Sequence, residues 1–116
     1  MTPVPAPRRG EIWLVDLDPI RGHEQAGRRP ALVLSEDMYN AGPSDLIVVL
    51  ALTTRLRGLP TQVTVSPSET GLASNSAVLC DQIRTISKER LGRRAGAIPP
   101  SKLARIEEIV RVLLGL

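Results

Sequence analysis

A chain of 116 residues has room for one hydrophobic core, enough to remove roughly two-thirds of its unfolded surface from water, so it can fold without a metal or a disulfide. The formal net charge is only +3, yet thirteen of the fifteen basic residues are arginine, paired at 8/9, 28/29 and 93/94, with 55 and 57 close by. A single cysteine excludes an internal disulfide, and only two aromatics, Trp13 and Tyr39, argue against a sheet that stacks several bases on rings, so any nucleic-acid contact has to rest on arginine, backbone and amide groups.

In chain order, residues 1–8 carry three prolines and read as a flexible arm, leaving 9–116 as one domain. Glu11 to Asp18 is rich in β-formers and ends in Asp-Pro, a strand followed by a turn. A long loop, 19–28, holds Glu24 and His23 and runs into Arg28-Arg29-Pro30. Pro30 biases Arg29 toward an extended conformation, at the mouth of the strand Ala31 to Leu34. Ser35 to Asn40 opens with a capping residue and two acids, which favours a brief helical turn. Leu46 to Leu52 is almost uninterruptedly apolar, as in a strand covered on both faces.

Gln62 to Val65 alternates, and Ser76 to Ile86 is a longer strand into which polar groups enter midway. Strict alternation there sends Gln82 and Arg84 to one face and Asp81 and Thr85 to the other. Beyond Pro99-Pro100, the residues Leu103, Ile106, Ile109, Val110, Leu113 and Leu114 fall on one side of a helix starting near Ser101. Five or more strands closed by one amphipathic helix predict a mainly β, barrel-like antiparallel fold. Cys80 lies in an apolar run and reads as a buried, inert thiol. No stretch approaches the roughly 20 apolar residues that span a bilayer, and the N-terminus has no apolar signal core, so the expected location is the cytoplasm.

With one histidine and one cysteine, no cluster offers the ligands a catalytic zinc requires, and no nucleophile elbow or phosphate-cradling glycine loop is present. The chemistry that remains is arginine acting on phosphate. RNA carries its own nucleophile, the 2′-hydroxyl, so a protein that cleaves it has only to align that group, stabilise the phosphorane oxygens and move protons. Arg29, Thr53 and Glu24 form a suitable set if adjacent antiparallel strands bring the start of one apolar run beside the end of the next. Each has a plainer alternative: Arg29 as a solvated arginine, Thr53 as a strand-end cap, Glu24 as a surface partner of Arg21 or Arg28. His23, a lone loop imidazole, stays outside the catalytic set.

Taken in order, Arg9-Gly10-Glu11-Ile12-Trp13 through Pro19, Gly22-His23-Glu24-Gln25-Ala26-Gly27-Arg28-Arg29-Pro30, Leu52-Thr53-Thr54, Gly58-Leu59-Pro60 and Asp81-Gln82-Ile83-Arg84-Thr85 resemble the MazF/PemK family of toxin endoribonucleases. The resemblance implies an SH3-like barrel with a C-terminal helix, a homodimer, and sequence-specific cleavage of single-stranded RNA without metal or other cofactor. It also implies neutralisation by a cognate antitoxin with an acidic, disordered segment. By that pattern Arg29 and Thr53 are catalytic, with Glu24 at an acidic loop position linked to activity. Gln25, Thr54, Arg55, Leu59, Pro60, Asp81, Gln82 and Arg84 are the expected RNA-binding residues. His23 stands where a serine is frequent, and 41–45 has its own composition, so the recognised bases are left open. The alternative is a non-enzymatic toxin of the same general fold that binds and inhibits DNA gyrase. Relatives of that kind depend on a tryptophan near the end of the last helix, and this chain ends Val-Arg-Val-Leu-Leu-Gly-Leu.

Overall fold

The computed structural model describes residues 6–17 and 28–116. Six strands, β1 (Glu11–Asp16), β2 (Arg28–Val33), β3 (Leu46–Thr53), β4 (Gln62–Val65), β5 (Ser76–Ser87) and β6 (Leu91–Ala97), form one antiparallel sheet in the order β4-β5-β3-β2-β1-β6. The short helix α1 (Asp37–Asn40) links β2 to β3, α2 (Pro67–Thr70) links β4 to β5, and α3 (Pro100–Leu114) ends the chain. The mainly β antiparallel architecture with a C-terminal helix is as the sequence predicts. The strand order leaves β4 and β6 as the two edges, however, so the ladder does not close into a full barrel.

β3 lies inside the sheet and separates two cores. Leu50 and Leu52 pack with Ile12, Leu32, Val78 and the α3 residues Ile106 and Val110. Ile47, Val49 and Ala51 pack on the other side with Val15, Leu17, Ala31 and Ile86. The unbroken apolar run follows from this arrangement, because both alternating sets of side chains are removed from water.

Strand β5 departs from simple alternation. Leu50 pairs with Ile83 but Leu52 pairs with Val78, so three extra residues of β5 are inserted opposite one step of β3. An odd insertion reverses which face each side chain meets: Val78 and Cys80 share a core with Ile83, while Leu79 shares the other with Ile86. Counted on from Cys80, Asp81 falls on the Leu79 side, and counted back from Ile83, Gln82 falls there too, so the phase changes between them and the predicted split of the two onto opposite faces does not hold.

Several boundaries also differ from expectation. The capping role assigned to Ser35 falls away: Glu36 precedes α1, and the Ser35 hydroxyl accepts the Val48 N–H at 3.0 Å, tying the turn to β3. Within the proposed arm, residues 1–5 lie outside the described residues, while Pro7 is buried and its carbonyl accepts from Asn40 Nδ2 at 3.0 Å. Helix α3 begins with Pro100 at its first turn and stops at Gly115, whose left-handed φ of 70° allows the Leu116 N–H to reach the Arg111 carbonyl at 2.9 Å. Its apolar stripe is buried only in part, since Leu113 and Leu114 remain exposed. Strand β6 and helix α2 carry too few apolar residues to be read from periodicity. Among the described residues no helix is long and apolar enough to cross a membrane.

Candidate nucleic-acid cleft

Two strand ends converge at one rim of the sheet. β2 and β3 are antiparallel and pair Ala31 with Ala51. Arg29 and Thr53 each lie two residues beyond that pair, and residues two apart along a strand share a face. Both line a cleft of about 460 Å³. The β3–β4 loop supplies Thr54, Arg55, Arg57, Leu59 and Thr61, the start of β4 supplies Gln62, and the inserted segment of β5 supplies Leu79, Asp81 and Gln82. Extra strand residues beside a cleft re-aim side chains that regular pairing would send elsewhere. Here the insertion lets two consecutive residues, Asp81 and Gln82, face one cavity.

Arg29 is half-buried, which restricts its guanidinium, and Thr53 is only 8% exposed. The Thr53 hydroxyl oxygen accepts the Arg55 N–H at 3.1 Å. Thr53 therefore caps its strand, as the plainer reading had it, but a hydroxyl that accepts one bond still has its own proton to donate. The Thr61 hydroxyl donates to Asp81 Oδ2 at 3.4 Å, and the Thr61 carbonyl accepts from the Cys80 N–H at 3.0 Å, holding the β5 insertion against β4. Three guanidiniums and one carboxylate line the cleft. An excess of planar cationic donors with one anionic acceptor suits a phosphodiester together with the polar edge of a base.

Of the predicted site residues, Arg29, Thr53, Thr54, Arg55, Leu59, Asp81 and Gln82 are brought together in this cleft. Arg84 instead lines an adjoining cleft with Leu17, Val49 and Ala51, joined to the first through Asp81 and Gln82, and its Nη1 donates to the Leu17 carbonyl at 2.6 Å. Pro60 faces away, toward Ile109 and Val112 of α3. Glu24, Gln25 and His23 lie outside the described residues. Arg57, Thr61 and Gln62 were not anticipated. Arg57 is separated from Arg55 by a single residue, a spacing visible in the sequence, whereas Thr61 and Gln62 join the cleft only because β4 folds back on β5. Cys80 is fully buried behind the cleft, and burial pushes its thiol up to about 11, consistent with an inert core side chain.

Residues 8–114 match the family described as PemK-like, MazF-like toxin of type II toxin-antitoxin system. The chain is 41% identical over 114 residues to endoribonuclease MazF9 of Mycobacterium tuberculosis, a match covering 94% of this chain and 97% of that protein. Its fold is similar to that of crystalline MazF from Deinococcus radiodurans, with a TM-score of 0.85 and 34% identity over 96% of this chain and 98% of the other. A MazE–MazF structure from the same organism gives a TM-score of 0.78 with 34% identity, covering 96% and 97%.

Proposed function

Because the chain belongs to the PemK-like, MazF-like toxin family of type II toxin–antitoxin systems, we propose that it is an endoribonuclease toxin whose catalytic cleft lies between the tips of β2 and β3. The observation that supports this most directly is that Arg29 and Thr53, each two residues beyond the Ala31–Ala51 pair, line one cavity. The endoribonuclease names of the relatives support the reaction type and lend nothing to the gyrase-binding alternative.

The substrate is single-stranded RNA, cut at a short sequence. The 2′-hydroxyl loses its proton and attacks the adjacent phosphorus, a 2′-O–P bond forms, the bond to the 5′-oxygen breaks, and that oxygen takes up a proton. This leaves a 2′,3′-cyclic phosphate, or the 3′-phosphate after its hydrolysis, and a 5′-hydroxyl. Negative charge accumulates on the non-bridging oxygens as the phosphorane forms, and donors already in place at that point lower the barrier. Arg29 supplies the cationic fork and helps protonate the leaving oxygen as it becomes strongly basic. Its own proton is otherwise held too tightly for easy transfer. Thr53 donates its free hydroxyl proton to a phosphate oxygen. Glu24 orients Arg29 or the attacking hydroxyl. Thr54, Arg55, Leu59, Asp81 and Gln82 contact the flanking nucleotides, with Gln25 and Arg84 extending that surface. The nucleophile comes from the substrate and charge is neutralised by guanidinium, so the reaction needs no metal.

The protein acts as a homodimer and is held in check by a cognate antitoxin. The family and the MazE–MazF neighbour support the antitoxin, and an acidic segment that orders on binding is suited to the arginines of the cleft. Incubation of purified protein with a long RNA in the presence of chelator, followed by primer extension, should give discrete cuts at one short sequence with 5′-hydroxyl ends. Intact RNA after prolonged exposure would overturn the assignment. Light scattering reads the dimer, and loss of cleavage on adding the antitoxin's acidic segment reads a shared cleft.

A further inference from the structure

Two hydrogen bonds to a single residue shape the outer wall of the cleft. Gln62, the first residue of β4, turns its side-chain carbonyl back to accept the Arg57 N–H at 2.9 Å. Its own N–H donates to the Leu59 carbonyl at 3.0 Å. The stretch from Arg57 to Gln62 is thus a closed loop, turned at Gly58, whose φ of 64° lies in the left-handed region that glycine adopts most readily. Arg57 is exposed and lines the cleft beside Arg55, while the Leu56 side chain between them is also exposed.

We propose, on the basis of the RNA-cleaving activity, that Arg57 binds an RNA phosphate next to the scissile one and that Gln62 is the positioning residue that holds it there. A long exposed arginine on an open loop loses much conformational freedom when it binds. Anchoring the Arg57 backbone to the first residue of a strand removes part of that cost beforehand. The Gln62 amide does so from the rigid side, because β4 is paired along its length with β5. A flanking phosphate is held alike before and during bond breaking, so its contact strengthens binding and leaves the chemical step alone.

The test uses the full-length wild type, Arg57→Ala, Gln62→Met and the double variant. Cleavage is followed on an RNA spanning a mapped cut site, and binding on the same RNA with a 2′-deoxy sugar at the cleaved nucleotide. Arg57→Ala should raise KM about threefold to tenfold with kcat unchanged and should reduce the salt slope of log Kd by about 0.7, the value for one phosphate on a single strand. Gln62→Met keeps the side-chain length but has no carbonyl, and should raise KM in the wild type yet add nothing in the Arg57→Ala background. A wild-type slope and KM for Arg57→Ala would overturn the proposal. So would a Gln62→Met loss that lowers kcat and persists without Arg57, since that pattern describes general structural damage. A wild type that leaves the RNA intact would instead overturn the endoribonuclease reading, while the slope on the uncleavable RNA would still decide whether Arg57 holds a phosphate.

Discussion

Arg29 and Thr53 come from strands that pair antiparallel, each lies two residues beyond the Ala31–Ala51 pair, and both line the same cleft. Separated by 23 intervening residues in the chain, they meet because β2 begins where its neighbour β3 ends. Their positions rest on the sheet's hydrogen bonds, not on a flexible loop, so the donors do not have to be reorganised as charge develops.

Arg29→Ala should lower kcat by about 10²–10³-fold, the scale of a lost oxyanion donor. Arg29→Lys keeps the charge but loses the planar fork and should recover only part of the rate. Single-turnover cleavage of a short labelled RNA measures both, and an unchanged rate for the alanine variant would remove Arg29 from the mechanism.

Thr53→Ser keeps the oxygen that accepts the Arg55 N–H and the proton it donates, and should cleave at close to the wild-type rate. Thr53→Val fills the same space without either function. Its cleavage should fall well below that of the serine variant, and the unpaired Arg55 N–H should lower the unfolding free energy by about 1 kcal/mol. Comparing kcat with the urea midpoint separates the two effects.

Arg9 ties three parts of the fold together. Its guanidinium donates to the Leu34 carbonyl and pairs with Glu107 Oε1 of α3 at 2.5 Å, while its N–H donates to Asp37 Oδ1 at 2.7 Å. Arg9→Met should cost about 1–2 kcal/mol of stability, because a carbonyl loses its donor and the partly exposed ion pair adds a smaller share. Equilibrium urea unfolding should register the loss, and higher salt should reduce the gap from wild type.

Cys80 predicts a pH dependence of known sign. Burial raises its thiol from 9.0 to about 11 in the folded protein, so between those values the unfolded chain ionises first and folding loses stability. The contribution is full below pH 9 and disappears as pH rises toward 11. Unfolding measured across that window should show a decline that Cys80→Ala lacks, and a thiol reagent at neutral pH should react only on unfolding.

Gly96 on β6 is backed by α2, and a methyl group in place of its hydrogen would overlap the Thr70 carbonyl oxygen. Backbone cannot yield as a side-chain tip can. Gly96→Ala should therefore destabilise the protein by about 1–3 kcal/mol, the usual range for overpacking. Thermal unfolding checks this, and a wild-type midpoint would mean that α2 shifts freely.

Local signals in the chain were sufficient for the strands β1 to β5 and for α3, because their apolar residues recur at the periods a sheet or a helix imposes. The ordered motifs around Arg29, Thr53 and Asp81 were likewise legible in the sequence. What it did not reveal was the three-residue insertion in β5, the edge strand β6 and the part Gln62 plays. An insertion is defined by its partner strand, so no property of residues 79–82 alone specifies it. Strand β6, Leu-Gly-Arg-Arg-Ala-Gly-Ala, has almost no hydrophobic pattern and is a strand because β1 offers it hydrogen bonds. Gln62 holds Arg57 because a turn at Gly58 brings them together. Periodic burial is a local property, encoded residue by residue, whereas register and the closing of a cleft depend on which distant backbone groups pair, and that only the folded chain decides.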